Sequence, residues 1–167
     1  AIVREPNIPS TAGILAGRDP GTFVLNVPVT DRSYQEMRLS TSTNKPRLMI
    51  IIASTRPGRK GKPIGTWVHE RALADGRFEV EVADLAELNL PMMDEPNHPS
   101  QKNYQHDHTK AWSARVEASD AFIFVTPEYN HSYNAPLKNA IDYLMQEWAH
   151  KPVGFVSYGG VAGGARA

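Results

Sequence analysis

The sequence predicts an α/β protein whose mostly parallel sheet carries helices on both faces. Between residues 47 and 167, short apolar runs alternate with stretches that have helical spacing, which is typical of βαβ units. The first run, Leu48–Ala53, contains no polar residue, as in a strand that is buried on both faces of a parallel sheet. Unusual polar loops follow three of the runs. Because open α/β sheets bind ligands beyond the carboxyl ends of their strands, we expect the functional site in these loops.

The strands are predicted by apolar or alternating runs. They are Leu48–Ala53, Phe78–Val82, Ala121–Val125 and Val153–Ser157. Apolar stripes at helical spacing predict a helix after the first strand, one before the third and one after the third. The members of these stripes are Ile64, Trp67, Val68 and Ala72; Trp112 and Val116; and Leu137, Ala140, Ile141, Leu144 and Met145. Trp67 and Trp112 are therefore expected in the core.

The composition of the chain changes near Pro46. Residues 1–46 are rich in Pro, Ser, Thr and Gly, and we interpret them as an N-terminal extension or arm. Residues 47–167 form the predicted α/β domain. The strand-like run of the extension, Thr22–Val29, contains Pro28, which predicts an edge strand or a docked arm.

Composition excludes several classes of protein. The 18 basic and 18 acidic residues cancel, so no basic surface points to nucleic acid or to an anionic membrane. A sequence without Cys forms no disulfides, thiolate zinc sites or cysteine nucleophiles. No apolar run approaches the roughly 20 residues that span a bilayer, and Pro6 and Pro9 interrupt any signal-peptide pattern. The sequence therefore predicts a soluble, cytoplasmic protein.

The first loop, Ser54–Gly61, joins the first strand to a predicted helix. It combines hydroxyl groups, glycines and three cations with a helix N-terminus, and this combination suits a phosphate group. A solvated basic turn is the alternative interpretation, since such turns often contain Gly and Ser. The loop is not a Walker A motif, because Arg59 and Lys60 follow Gly58 where Lys and a hydroxyl residue would be required. The sequence also contains no G-x-G-x-x-G dinucleotide motif.

The second and third loops follow the third and fourth strands. Thr126–Asn134 is rich in aromatic and amide groups, which can stack on a planar heterocycle and form hydrogen bonds with it. A helix entry with Asn134 as the N-cap and Pro136 in the first turn explains the same stretch. Ser157–Gly164 contains four glycines, whose backbone N–H groups can approach the edge of a ligand closely.

Together, the three loops resemble those of the NADPH-dependent FMN reductases. This flavodoxin-like family includes azoreductases, quinone reductases and chromate reductases. The similar segments are ASTRPGR at 53–59, LNLPMMDEP at 88–96, VTPEYNHSYNAPLKNAIDYL at 125–144 and KPVGFVSYGGVAGGARA at 151–167. The resemblance implies a flavodoxin-like three-layer sandwich with a parallel sheet in the order 2-1-3-4. It also implies FMN and NADPH as cofactors and a homodimer or homotetramer.

The resemblance assigns roles to residues of the three loops. It implies that the FMN phosphate binds at Ser54, Arg56, Arg59 and Gly61. It places Pro127, Glu128, Tyr129 and Asn130 along the isoalloxazine ring, Ser132 beside it, and Tyr158, Gly159 and Gly160 at its other edge. In this family NADPH donates hydride to the flavin, which then reduces quinones, azo compounds, metal oxyanions or free flavin. No side chain is expected to be a proton-transfer catalyst, because the sequence shows neither G-x-S-x-G nor a nucleophile–base pair.

The sequence departs from the family pattern at two places. Family members usually have Pro at the position of Asn134, and they continue beyond that of Ala167 with a helix and a fifth strand. The fifth strand is therefore either missing at the C-terminal end of this sequence or supplied by the N-terminal segment, with Thr22–Val29 as the candidate. Without it, the fourth strand is expected to be an exposed edge.

The sequence allows three interpretations other than an FMN reductase, of which the first is a metal site. His98, His106 and His108 lie near Asp94 and Glu95, but without the regular spacing of a zinc site, so we expect solvated histidines and no metal. A flavodoxin-like electron carrier is a second possibility, against which the neutral charge balance counts, because such carriers are usually strongly acidic. A flavin-free interaction module is the third.

Overall fold

The computed structural model describes residues 45–167 of the 167-residue chain. This part of the chain forms four strands separated by four helices, two of them between the second and third strands, with short 3₁₀ turns at Pro99–Gln101 and Gln146–Trp148. The strands are β1 (Arg47–Ile52), β2 (Glu79–Asp84), β3 (Ala121–Pro127) and β4 (Val153–Tyr158). The helices are α1 (Gly61–Asp75), α2 (Leu85–Leu88), α3 (Asp107–Glu117) and α4 (Ala135–Asp142).

All four strands are parallel and lie in the order β2-β1-β3-β4, as predicted. The central strand β1 pairs with both neighbours, and Ile50 lies opposite Val82 on one side and Ile123 on the other. Within residues 45–167, β4 pairs with β3 alone, and its Val153 and Phe155 side chains are exposed. The predicted strand Thr22–Val29 lies outside the described residues.

The core lies on both faces of the sheet, because successive β1 side chains point to opposite sides. Met49 and Ile51 pack against one face with the aromatic side chains of α3 and β3. Ile50 packs against the other face with Val68 of α1. These three β1 side chains have no exposed surface, which explains why the run that encodes them has no polar residue.

The two tryptophans that were predicted in the core have different environments. Trp112 of α3 is 1% exposed, and its Nε1–H donates to the Ala140 carbonyl at 2.9 Å, so this prediction is confirmed. Trp67 of α1 is 42% exposed and lies beneath the Arg71 guanidinium, so that prediction is wrong. Helical spacing assigned Trp67 to an apolar stripe, but Val68 and Gly65 are the residues of that turn that α1 buries against the sheet.

The predicted boundaries also shift in places. Helix α4 ends at Asp142, so Leu144 and Met145 lie beyond it; Leu144 is buried, whereas Met145 is exposed. Strands β3 and β4 extend past their apolar runs to Pro127 and Tyr158, which pair with each other. This extension brings the second and third loops together at the carboxyl edge of the sheet.

A buried carboxylate joins α3 to the turn before β4. The Glu147 side chain has no exposed surface, and it accepts hydrogen bonds from Ser113 Oγ at 2.6 Å and Tyr104 Oη at 2.9 Å. Burial opposes the ionisation of Glu147, but these hydrogen bonds outweigh it and hold the pKa of the carboxyl below its ordinary value. None of the helices in residues 45–167 is long and apolar enough to span a bilayer.

Candidate functional site

Three loops meet at the carboxyl edge of the sheet, after β1, β3 and β4. The backbone N–H of Ala53 donates to the Val125 carbonyl at 2.9 Å, and that of Glu128 donates to the Tyr158 carbonyl at 2.7 Å. These bonds continue the ladders of the sheet into the loops. The structure therefore brings together the predicted residues of all three loops.

The first loop leads into an uncapped helix N-terminus. Ser54 is buried at the end of β1, and Gly58 takes a positive φ of 68° in the turn that follows. Lys60 occupies the N-cap position of α1 without a side-chain capping bond, and the first turn contains no acidic residue. The free backbone N–H groups of this turn therefore lie at the positive end of the helix dipole. Arg56, five residues before the helix, is exposed.

Arg59 is held inside the first loop rather than presented at its surface. Its guanidinium donates to both carboxylate oxygens of Asp84, at 2.6 and 2.7 Å, and to the Ser54 carbonyl at 2.8 Å. Burial opposes the ionisation of Asp84, but hydrogen bonds from Arg59 and from the Ala86 N–H outweigh it and lower the pKa of this carboxyl. The ion pair thus ties the first loop to the end of β2.

Gly61, Ser54 and Tyr158 form a narrow space at the start of α1. A Cβ atom on Gly61 would lie 2.6 Å from Tyr158 Oη and 2.9 Å from Ser54 Cβ, so a side chain at this position would clash. The Tyr158 hydroxyl is buried and makes no hydrogen bond of normal geometry within residues 45–167, although the Ser54 side chain lies close to it. An unpaired hydroxyl beside bare helix N–H groups offers hydrogen bonds to a ligand that carries oxygen atoms.

The second loop contains a tight two-residue turn. Tyr129 and Ser132 exchange backbone hydrogen bonds of 2.8 and 3.1 Å, and the residues between them, Asn130 and His131, have positive φ of 51° and 65°. Two successive left-handed residues are typical of a type I′ turn, in which Gly usually follows Asn. A non-glycine residue in this conformation is strained, and such strain concentrates at functional sites. The turn leaves the Tyr129 ring partly exposed at the edge of the site.

Asn134 begins α4, but it does not cap the helix with its side chain. The residue occupies the predicted N-cap position, with Pro136 in the first turn. Its Nδ2 instead donates to the Ala53 carbonyl at 2.7 Å, across a separation of 81 residues. Asn134 is therefore a buried link between the first and second loops.

The third loop is linked to the second through Glu128, a predicted site residue, and through partners that sequence reasoning missed. Glu128 accepts hydrogen bonds from the backbone N–H of Gly164 and from Arg166, whose Nη1 also contacts His131. Arg166 belongs to the segment that carries the family resemblance, yet no role could be assigned to it from spacing. The sequence did contain one signal for such a partner. Glu128 is the only acidic residue of the second loop, and a carboxylate that becomes buried requires a cation.

His106 and His108, two of the three histidines considered as metal ligands, form a polar cluster with Asp94, whereas His98 Nδ1 lies 2.8 Å from Ser100 Oγ. The rings of His106 and His108 stack with centroids 5.2 Å apart, and His108 Nε2 lies 3.0 Å from Asp94 Oδ1. The same Asp94 oxygen accepts from Tyr143 Oη at 2.8 Å. In the part of the chain that the structure describes, no three or more His, Asp or Glu side chains are grouped to hold a metal ion.

The chain is similar in sequence to several reductases. An NAD(P)H-dependent FMN reductase of Schizosaccharomyces pombe is 44% identical over 121 residues, which cover 71% of this chain and 60% of that protein. An NAD(P)H-dependent FMN reductase of Saccharomyces cerevisiae is 38% identical over 125 residues, which cover 68% of this chain and 65% of that protein. This chain therefore spans about three fifths of the length of the curated relatives that it matches.

A solved structure and a family model agree with this similarity. The flavoenzyme NAD(P)H:(acceptor) oxidoreductase of Paracoccus denitrificans superposes with a TM-score of 0.57 and 27% identity, covering 73% of this chain and 66% of that one. The sheet order and the flanking helices are those of the flavodoxin-like fold. The family model described as NADPH-dependent FMN reductase matches residues 46–167. The chain belongs to the NADPH-dependent FMN reductase family.

Proposed function

We propose that this chain is the flavin-binding core of an oxidoreductase that takes electrons from NADPH and passes them to a small-molecule acceptor. The observation that carries the proposal is the space at Gly61 between the first and third loops, which Ser54 and the buried Tyr158 hydroxyl border at an uncapped helix N-terminus. The names of the relatives support it, since two of those similar in sequence are NAD(P)H-dependent FMN reductases.

The first loop fits the phosphate of FMN. Bare N–H groups at the start of α1 would donate to phosphate oxygens, as would the Ser54 and Tyr158 hydroxyls, and the exposed Arg56 would add a charge-assisted hydrogen bond. Gly61 keeps the approach open, because any side chain there would fill the space. Arg59 contributes by bracing the loop against Asp84 and the Ser54 carbonyl.

The second and third loops fit a flat ring system. The residues proposed along the isoalloxazine are Pro127, Glu128, Tyr129, Asn130 and Ser132, with Tyr158, Gly159 and Gly160 at the opposite edge. The type I′ turn holds the Tyr129 ring and the amide of Asn130 at the surface, where both can meet a planar ligand. Exposed glycines in the third loop leave backbone N–H groups accessible.

When bound, FMN would supply the redox chemistry by accepting a hydride from NADPH and delivering electrons to an acceptor. The chain's own residues would bind and orient the flavin, and none is proposed as a proton-transfer catalyst. The proposed acceptors are quinones, azo compounds, metal oxyanions or free flavin. A cavity of about 300 Å³ beside Thr55, Leu90 and Pro136 offers room for such a molecule near the first loop. We further propose a cytoplasmic homodimer or homotetramer.

The test is an absorbance spectrum of the protein after reconstitution with FMN and desalting, followed by NADPH under nitrogen. We expect retained visible flavin absorbance that bleaches on addition of NADPH. Retained flavin that NADPH does not bleach would instead identify an electron carrier. A protein that retains no flavin would contradict both assignments and favour the interaction module.

A further inference from the structure

The Glu128 carboxylate is directed at the third loop. Its side chain is only 7% exposed, although it lies in a loop at the surface of the domain. Oε2 accepts from the backbone N–H groups of Gly164 at 3.1 Å and Arg166 at 3.4 Å. Oε1 accepts from Arg166 Nε at 3.1 Å and lies 3.0 Å from Arg166 Nη2. Two backbone groups and one guanidinium therefore satisfy this carboxylate.

The third loop must fold back closely to reach Glu128. Gly164 has a φ of 94°, and a Cβ atom there would lie 2.5 Å from both Ser157 C and Tyr158 N. A Cβ atom on Gly159 would lie 2.9 Å from Glu128 Cβ and 3.1 Å from Gly164 N. Gly164 therefore packs on the backbone of residues 157 and 158, and Gly159 packs on Glu128 Cβ and the Gly164 backbone, so the loop closes tightly around the carboxylate.

Arg166 also reaches the tight turn of the second loop. Its Nη1 lies 3.0 Å from His131 Nε2. A guanidinium can only donate, so the imidazole nitrogen is the acceptor of this bond. Arg166 thus contacts both ends of the segment between Glu128 and His131, which contains Tyr129 and Asn130.

We propose that Arg166 is a positioning residue for the flavin site, which fixes the third loop against the second through Glu128 and His131. The inference rests on the proposed function. The strand ends are already joined by the bond from Glu128 N to the Tyr158 carbonyl. Beyond the strand ends, Arg166 fixes the distance between the two loops. This is the spacing between the Tyr129–Ser132 turn and the glycines at 159 and 160. This spacing sets the width of the slot that would receive the flavin ring.

Hydrogen–deuterium exchange on the flavin-free, 167-residue protein tests the loop contact itself. Arg166→Ala is expected to increase exchange in peptides covering residues 127–134 and 158–164, and nowhere else. Arg77→Ala is the matched control, because it removes an exposed arginine that pairs with Asp75 at the end of α1. Unchanged exchange in both loops of Arg166→Ala would overturn the proposal.

Flavin affinity tests the positioning role. Arg166→Ala is expected to raise the Kd for FMN about tenfold, since a hydrogen-bonded charge pair that orders the site is lost. Arg166→Lys should recover part of this loss, because its ammonium can reach the carboxylate but lacks the planar guanidinium. A Kd within twofold of the wild-type value in Arg166→Ala would also overturn the proposal.

A double-mutant cycle separates this role from simple destabilisation. Glu128→Gln keeps the shape of the side chain and one acceptor oxygen, so it guards against misfolding of the alanine variant. We expect Glu128→Gln and Arg166→Ala together to weaken FMN binding by less than the sum of their separate effects, because they share the Glu128–Arg166 contact. Additive effects would contradict a shared contact. If the wild-type protein itself binds no FMN, the proposed function fails, and the exchange experiment still decides whether Arg166 orders the loops.

Discussion

Arg59 and Asp84 form a two-point ion pair between the loop after β1 and the end of β2, with N–O distances of 2.6 and 2.7 Å. Asp84 also accepts from the Ala86 N–H and thereby caps α2. One carboxylate therefore joins three parts of the carboxyl edge: the first loop, the end of β2 and the helix α2 that follows β2.

Asp84→Asn is expected to lower the free energy of unfolding by about 3 kcal/mol, because it leaves the Arg59 guanidinium buried without its counter-charge. Urea unfolding, followed by circular dichroism, measures this loss. Asp75→Asn is the matched control, since Asp75 pairs with Arg77 at the surface and its loss is expected to leave stability unchanged. Equal effects of the two substitutions would contradict the importance of the buried pair.

Acid should destabilise the protein through its paired carboxyls. Hydrogen bonds hold the pKa values of Asp84 and Glu147 below their ordinary range in the folded state. The unfolded chain therefore binds these protons at higher pH than the folded one does. Stability should be complete above the unfolded pKa of about 4 and fall as the pH drops through the lowered folded values.

Urea midpoints measured from pH 6.5 down to pH 3 check this dependence. The Asp84→Asn variant is expected to lose stability less steeply over the acid part of the range, because it no longer contains one of the two groups. A variant with the same slope as the wild-type protein would show that Asp84 titrates alike in both states.

Gly61→Ala should weaken FMN binding at least tenfold, because the added methyl group has to displace Tyr158 or Ser54 at the site. The added methyl would enter the space that Tyr158 Oη and Ser54 Cβ border. Gly154→Ala in β4 is the control, because a Cβ atom there meets its nearest neighbour at an ordinary 3.8 Å. Fluorescence titration with FMN gives both affinities. Equal affinities of the two variants would contradict a role for Gly61 in FMN binding.

The two tryptophans should differ in how much stability the same conservative change costs. Trp112→Phe removes a buried Nε1–H that donates to the Ala140 carbonyl and leaves a space in the core, at a cost of about 2 kcal/mol. Trp67→Phe should change stability by less than about 0.5 kcal/mol, because its ring is largely at the surface. Thermal unfolding of both variants compares them directly.

The central position of β1 and the edge that carries the site follow from local sequence, whereas the strand order 2-1-3-4 was implied by the family resemblance. A fully apolar strand such as Leu48–Ala53 has to be central, and the loops after parallel strands have to share one edge. Both features depend on residues that are neighbours in the chain. The residue roles implied by the family resemblance remain proposals, although the structure brings the three loops together.

Contacts between distant residues could not be predicted in the same way. Glu128 and Arg166 are 38 residues apart, and Asn134 and Ala53 are 81 apart, so no spacing rule connects them. The exposure of Trp67 depends on which flank of α1 faces the sheet, and periodicity alone does not specify this. The end of α4 before Leu144 is likewise set by the chain's turn toward the Gln146–Trp148 segment.

The parallel sheet has a consequence for the protein during its synthesis. Strand β1 pairs with β3 at a separation of 73 residues, as Leu48 does with Ala121. At roughly 5–20 residues per second, a ribosome needs about 4–15 seconds to add that length of chain. Throughout this interval, the most apolar segment of the domain has no partner on one side. The nascent chain therefore presents a β-prone segment for seconds, and we expect it to be the point at which holding chaperones engage and at which premature arrest leads to aggregation.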